Sequence, residues 1–130
     1  MLINQLLNEL VPRLVPVGVE QARKTRAAWK DISPDFERYV VGFLAGEVWS
    51  REHLDLRTKR LVTIATLAAM GGPLALELNI RIALGNGATQ QEIVETLLHI
   101  TPYSGFPAAW EGLALANQVF REVGDAGAGD

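Results

Sequence analysis

The stretch that decides the fold is residues 61–70, which read LVTIATLAAM. Only Thr63 and Thr66 are polar within it, and Asp55 stands where it can cap a helix over residues 56–70. A helix that is apolar on nearly every side is expected to be buried on nearly every side. We therefore predict a buried helix over residues 56–70.

The segment before this helix carries a second clear helical pattern. Ser33 followed by Pro34 is typical of a helix start, with a capping side chain and proline at the first helical position. The helix should end near residues 48–50. The apolar residues between follow the spacing of one buried helical stripe: Phe36, Tyr39, Val40, Phe43 and Leu44.

Residues 74–84, LALELNIRIAL, are ambiguous between strand and helix. Their apolar residues alternate, as in a strand, but they also form pairs four residues apart, and Glu77 precedes Arg81 by four. Pro73 before the segment and Gly85 at its end favour a helix.

The remaining segments complete an all-α prediction. Thr89 and Glu92 form a capping box for a helix that ends near Thr101, and a last helix carries an apolar stripe between residues 109 and 123. Weaker helical patterns cover residues 2–11 and 17–29. We predict one all-α bundle of six to seven helices, with an N-terminal helical arm (1–32), a helical domain (33–123) and a disordered tail (124–130).

Composition excludes several classes of function. The chain has no cysteine, which removes thiol and disulfide chemistry, and its net charge of −3 with scattered basic residues argues against nucleic-acid binding. No apolar run is long enough to span a membrane and no secretory signal is visible, so we expect a cytoplasmic protein. The two histidines lack metal-ligand spacing and no phosphate loop is present, so we expect no metal and no cofactor.

Glu47 is the most informative candidate for chemistry. It continues the stripe of Phe36, Val40 and Phe43 by one turn, which would aim a carboxylate at the core side. A carboxyl group buried in this way must be paired or protonated, and it would be a natural acid/base residue. In the alternative, Glu47 lies in a frayed last turn and reaches water or Arg51.

His99 is the second candidate, because its imidazole can transfer protons near neutral pH. On its helix it shares a face with Glu92, Glu95 and Tyr103, and Glu95 could orient its ring. In the alternative, His99 is a surface residue paired with Glu95.

Arg81 and Arg51 are candidates for holding a substrate carboxylate, because a guanidinium offers a bidentate fork. The alternative for each is an ordinary ion pair. Trp110, near the start of the last helix, could belong to an interface, although a core position is more usual for tryptophan.

Several stretches together resemble the carboxymuconolactone decarboxylase family. They cover most of residues 34–120: Gly46–Leu54 (GEVWSREHL), Asp55–Gly71 (DLRTKRLVTIATLAAMG), Ile80–Glu92 (IRIALGNGATQQE) and Ile93–Ala109 (IVETLLHITPYSGFPAA). The resemblance implies the all-helical fold of alkylhydroperoxidase-type proteins and a homo-oligomer, often a trimer or hexamer. It also implies an activity, the decarboxylation of 4-carboxymuconolactone to an enol-lactone.

The resemblance also implies site residues. Glu47, Trp49 and Arg51 fall on the family's G-[ED]-V-[WY]-S-R stretch, and His99 and Tyr103 fall on its L-L-H-x-x-x-Y-x-G stretch. The resemblance thereby raises the expectation that Glu47 and His99 line a pocket that takes a small-molecule substrate.

The sequence departs from the family at two places. The peroxidase branch carries CxxC followed four residues later by histidine, and the matching positions here are Gly72, Ala75 and Asn79. Disulfide-based peroxide reduction is therefore excluded by this alignment. The decarboxylase branch usually has histidine where Asn79 stands, and an asparagine forms hydrogen bonds but transfers no protons at neutral pH.

The mechanism implied by the resemblance needs few groups. Arg81 or Arg51 would hold a carboxylate, Asn79 and Tyr103 would donate hydrogen bonds to the developing oxyanion, and His99 or Glu47 would supply a proton. The alternatives are isomerisation, lactone opening or cyclisation in the same pocket, or a non-catalytic helical oligomer that binds a small molecule or a protein.

Overall fold

The computed structural model describes residues 19–128 of the chain, and the side chains of residues 23–124. Every regular element in this range is helical, so the predicted all-α fold class is confirmed. The helices are α1 (Val19–Ile32), α2 (Pro34–Arg38), the π-helix α3 (Tyr39–Trp49), α4 (Leu56–Met70), α5 (Pro73–Gly85), α6 (Gln90–His99), α7 (Thr101–Ser104) and α8 (Phe106–Ala128).

The chain divides into two compact units, the first ending at Leu56 and the second beginning at Arg57. The predicted boundary between arm and helical domain, after residue 32, falls within the first of these units. The helix expected over residues 2–11 lies outside the described residues. Helix α8 continues to Ala128, past the start of the predicted disordered tail at Gly124.

In the first unit, helices α1 and α2 pack against each other around a short corner. Ser33 caps α2, because its Oγ accepts a hydrogen bond from the Phe36 backbone N–H at 3.1 Å, as the sequence predicted. The rings of Trp29 and Phe36 meet edge to face with centroids 5.7 Å apart, and Arg26 pairs with Glu37 at 3.3 Å. These contacts join the two helices on both sides of the Ser33 cap.

The predicted buried stripe of the following helix is wrong for the single chain. Its buried residues are Val41 and Ala45, whereas four members of the predicted stripe are exposed: Phe36, Tyr39, Phe43 and Leu44. Helical spacing shows which residues share a face but not which face packs inward, and the inward face of this helix carries Val41 and Ala45. Phe36, the first residue of the predicted stripe, is already exposed in α2, before the π-helix begins.

The second unit holds the main hydrophobic core, built where α4, α5 and α6 meet the long helix α8. Burying large aliphatic side chains supplies the principal stabilisation of such a core. Its five largest completely buried side chains come from all four helices: Ile64, Ile80, Ile93, Leu97 and Val119.

Helix α4 is less enclosed than its sequence predicts. Arg60, Ile64 and Ala68 are buried along one side, but Val62 and Met70 are exposed. The prediction of burial on nearly every side, made from the apolar composition of this helix, is therefore wrong for the single chain. One charged residue, Arg60, shares the buried side with two core residues.

Residues 73–85 form a helix, which settles the strand–helix ambiguity as the flanking proline and glycine indicated. The capping box of Thr89 and Glu92 is also confirmed, with both reciprocal hydrogen bonds present. Between α7 and α8, Gly105 has a φ of 94°, a left-handed conformation that strongly favours glycine. No helix within residues 19–128 is long and apolar enough to cross a membrane.

Candidate functional site

A buried arginine and an asparagine from two helices form the most unusual polar contact in the second unit. Arg60 of α4 is 4% exposed, and its Nη1 donates a hydrogen bond to Oδ1 of Asn79 on α5. Burial lowers the pKa of Arg60 to about 10, because desolvation penalises the charged guanidinium. A group with that pKa is still protonated near pH 7, so the site contains a buried positive charge.

The predicted site residues include Asn79 but not Arg60. A signal was present, because Arg60 lies four residues before Ile64 and eight before Ala68, on the side of α4 that faces the core. A charged residue at a core position needs a polar partner. Sequence spacing shows that such a partner must exist but not which residue it is. Its partner is 19 positions away in the chain.

Arg81 lies in an ion-pair network on the other face of α5. Its Nη2 contacts Oε1 of Glu77 at 3.0 Å and also pairs with Glu122 of α8. Hydrogen bonds to Glu122 and then to Glu77 raise the pKa of Arg81 above its ordinary value. Arg81 therefore forms ordinary ion pairs, as the alternative predicted, and its partner Glu122 is not evident from the sequence.

His99 lies at the end of α6 on the exposed side, while Ile93, Leu97 and Ile100 are buried. The His99 ring lies beside that of Tyr103, with centroids 5.6 Å apart. Glu95 accepts a hydrogen bond from Gln91 at 2.9 Å. Within the described residues His99 therefore contacts the Tyr103 ring, and a hydrogen bond from Glu95 that would orient its imidazole is not observed.

The remaining candidates lie in the first unit. Glu47 is exposed on α3, so the prediction that it points into the core is wrong for this chain, because the buried face of α3 carries Val41 and Ala45 and not the predicted stripe. Trp49 ends the same helix and is half-buried, and Arg51 follows it and is exposed. Just before Arg51, the hydroxyl of Ser50 donates to the Gly46 carbonyl at 2.6 Å, which closes the last turn.

The structure places some of the candidate site residues in contact with one another and others in contact with different residues. Within the second unit, Arg60 contacts Asn79, and His99 contacts Tyr103, while Arg81 is bound to two glutamates. Among residues 23–124, no group of three acidic or histidine side chains is placed to hold a metal ion.

A strongly exposed aromatic surface lies next to His99 along the chain. Tyr103, Phe106 and Trp110 are 79%, 76% and 74% exposed. Large exposed apolar side chains grouped in this way mark an interaction surface more often than a bare exterior. The more usual core position expected for Trp110 is not the one observed.

The chain is therefore a small, cysteine-free protein whose described elements are all helical. It carries a contact between a histidine and a tyrosine and a buried contact between an arginine and an asparagine. Residues 34–118 match the sequence pattern of the Carboxymuconolactone decarboxylase family. The chain belongs to this family, and the predicted resemblance is confirmed.

Relatives in the family are similar over most of the chain. The chain is 36% identical over 108 residues to a 4-carboxymuconolactone decarboxylase of Acinetobacter baylyi, covering 83% of this chain and 81% of that protein. It is 35% identical over 124 residues to an uncharacterized 15.0 kDa protein of Paracoccus denitrificans, covering 88% and 92%. A nitrosuccinic acid decarboxylase of Metarhizium robertsii is 33% identical over 82 residues, covering 63% of this chain and 57% of that protein. These names support a decarboxylase-type family.

Proposed function

We propose that this chain is a cofactor-independent decarboxylase that acts on a small carboxylated lactone or a related organic acid. The observation that carries the proposal is the 36% identity to a 4-carboxymuconolactone decarboxylase across 83% of the chain. A further relative named for decarboxylation of nitrosuccinic acid supports the same reaction type.

The chemistry of a carboxylated lactone explains why few protein groups suffice. The bond between carbon and the carboxylate breaks, CO2 leaves, and the electron pair passes into the conjugated lactone carbonyl as a dienolate. One proton then adds to carbon to give the enol-lactone. Because the substrate accepts its own electron pair, the protein has to hold the substrate, stabilise the oxyanion and deliver one proton.

The proposed roles follow from the side chains available. His99, beside Tyr103, supplies the proton, with Glu47 as the alternative donor. Asn79 and Tyr103 donate hydrogen bonds to the oxyanion. Arg81 or Arg51 holds a substrate carboxylate, with Trp49 near Arg51 in the sequence; Arg81 would have to exchange Glu77 or Glu122 for the substrate, because it binds both carboxylates within the chain.

Substitution of the proposed proton donors tests these roles. With 4-carboxymuconolactone as the probe, His99→Ala should lower kcat by about 10²–10⁴-fold, the usual contribution of general acid–base catalysis. His53→Ala is the matched control, because His53 is exposed and is the only other histidine. Glu47→Gln is compared with Glu52→Gln in the same way. Full turnover in both His99→Ala and Glu47→Gln would contradict the assignment.

A second candidate function is isomerisation, lactone opening or cyclisation at the same site. The observation that favours it is Asn79, which stands where the decarboxylase branch usually has histidine and which is bound to Arg60. A panel of lactones and unsaturated acids separates the two, because only decarboxylation couples the loss of substrate absorbance to CO2 release. Ligand binding without any turnover would instead support a non-catalytic binding protein.

We also propose that further copies of this chain cover the surface formed by Phe106 and Trp110, giving a trimer or hexamer. The proposal rests on the exposure of both aromatic side chains and on the oligomers that the family resemblance implies. Native mass spectrometry should show the oligomer for the wild-type chain and smaller species for Trp110→Glu. A wild-type monomer at micromolar concentration would contradict it.

A further inference from the structure

The carboxamide of Asn79 is held at both ends. Its Oδ1 accepts a hydrogen bond from Arg60, and its Nδ2 donates one to the Ala75 carbonyl at 2.8 Å. The orientation of the amide follows from chemistry, because a guanidinium has only donors and must therefore face the oxygen. Rotating the amide by half a turn would oppose donor to donor and acceptor to acceptor.

One donor of Asn79 is left over in this arrangement. A carboxamide nitrogen carries two N–H groups, and Ala75 accepts one of them. Within the described residues no other group accepts from Asn79, and the side chain is only partly buried. The second N–H is therefore accessible to a ligand, while the rest of the amide is fixed by the protein.

Arg60 also changes the electrostatics of that donor. An amide whose oxygen accepts from a cation is polarised, and its N–H becomes a stronger donor, most effectively in surroundings that exclude water. Arg60 is nearly completely buried, so its charge acts on Asn79 with little solvent screening.

The same charge explains why an asparagine suits position 79 of this chain. A histidine in contact with a buried guanidinium would be biased towards its neutral form, because a neighbouring positive charge disfavours protonation. A proton donor at this position would be suppressed by Arg60. A neutral hydrogen-bond donor would be strengthened by it.

We propose that Arg60 is a positioning residue that acts through Asn79, fixing and polarising its carboxamide so that the second N–H binds the oxyanion that develops on the substrate. The proposal rests on the proposed decarboxylase function for the identity of the oxyanion. The positioning role of Arg60 rests on a separate observation, the buried contact between its guanidinium and the Asn79 carboxamide.

Kinetics of four variants test the proposal: Arg60→Met, Arg60→Lys, Asn79→Ala and the double variant Arg60→Met/Asn79→Ala. With 4-carboxymuconolactone, Asn79→Ala should lower kcat by about 10²-fold, as loss of an oxyanion donor does, with little change in KM. Arg60→Met should lower kcat in the same way, and Arg60→Lys should recover part of it. Lys59→Met, on the same helix, is the matched control and should leave kcat unchanged.

The double variant distinguishes action through Asn79 from independent action. Because Arg60 works only through the amide, the double variant should be no slower than Asn79→Ala alone. Multiplied losses in the double variant would overturn the proposal, as would a raised KM with unchanged kcat in Arg60→Met, since that pattern indicates ground-state binding of a carboxylate.

A measurement that does not depend on enzyme activity tests the positioning role of Arg60 separately from the proposed function. In protein labelled with ¹⁵N, the Asn79 side-chain amide signals should shift in Arg60→Met but not in Lys59→Met, with Asn79→Ala identifying them. Unmoved signals in folded Arg60→Met overturn the positioning role whatever the enzyme does. If the signals shift but the wild-type chain releases no CO2 from any tested acid, the positioning stands and the oxyanion assignment fails with the proposed function.

Discussion

Replacing Gly112 with alanine is a sharp test of how closely α8 approaches α6 in the second unit. A Cβ at Gly112 would lie 2.9 Å from Cδ2 of Leu97 and 3.5 Å from Cβ of Ala68. Carbon atoms in favourable contact lie about 3.5–4.0 Å apart, so Leu97 would have to move by about 0.6 Å or more. Leu97 is completely buried, and such a shift spreads into a close-packed core.

Two effects of opposite sign set the size of the change. Overpacking a core by one methyl group costs about 1–3 kcal/mol, whereas replacing glycine by alanine inside a helix stabilises it by about 1 kcal/mol. Gly124 provides the matched control in the same helix, because a Cβ there meets nothing within 4 Å. Gly112→Ala should therefore be less stable than Gly124→Ala by about 1–3 kcal/mol, the cost of the clash alone.

Urea unfolding followed by circular dichroism at one fixed protein concentration measures this difference. Gly112→Ala should also cost less in a Leu97→Val background, where the obstructing side chain is shorter. Equal stability of Gly112→Ala and Gly124→Ala would refute the reasoning, because it would mean that α8 does not contact α6 as closely as described.

Three further predictions concern the polar contacts of the second unit. Thr89→Ala should lower the free energy of unfolding by about 1 kcal/mol, because it removes the hydroxyl that accepts from the Glu92 N–H, while Thr89→Ser should restore most of it in the same unfolding assay. Arg81→Met should lower the thermal midpoint and leave KM unchanged, and an increase in KM in a fully stable variant would show instead that Arg81 binds substrate. Hydrogen bonds from Arg81 and then Gln118 lower the pKa of Glu122. These hydrogen bonds therefore stabilise the fold at pH values above the ordinary carboxyl pKa of 4.5. The stabilisation is lost as the pH falls through the lowered pKa. Glu122→Gln should therefore lose less stability than the wild type on acidification, and an identical loss in both would contradict that linkage.

The parts of the fold that sequence predicted correctly depend on local interactions. The Ser33 cap and the capping box of Thr89 and Glu92 use hydrogen bonds between residues three apart, and both are present. Residues 74–84 looked equally like a strand, but the proline before them and the glycine after them identified the helix. Such signals need no knowledge of the tertiary structure.

The parts that sequence did not predict depend on contacts between distant positions or on which face of a helix packs inward. Arg60 and Asn79 are 19 residues apart, and Arg81 and Glu122 are 41 apart, so no local pattern joins them. The outward position of Glu47 was not predicted, because spacing groups residues on one face of a helix without showing that this face is buried, and the buried face of α3 carries Val41 and Ala45. The burial of Arg60 was readable from spacing, but its partner was not.

The proposed decarboxylation is tested most directly by following the carboxyl carbon of the substrate. 4-Carboxymuconolactone labelled with ¹³C in its carboxyl group is incubated with the wild-type chain in chelator-treated buffer without added cofactor. The proposed function predicts one equivalent of ¹³CO2 for each lactone consumed, and a rate of release that is about 10²–10⁴-fold lower in His99→Ala. Consumption of the lactone with the label retained in the product would contradict decarboxylation and identify an isomerising or ring-opening enzyme instead.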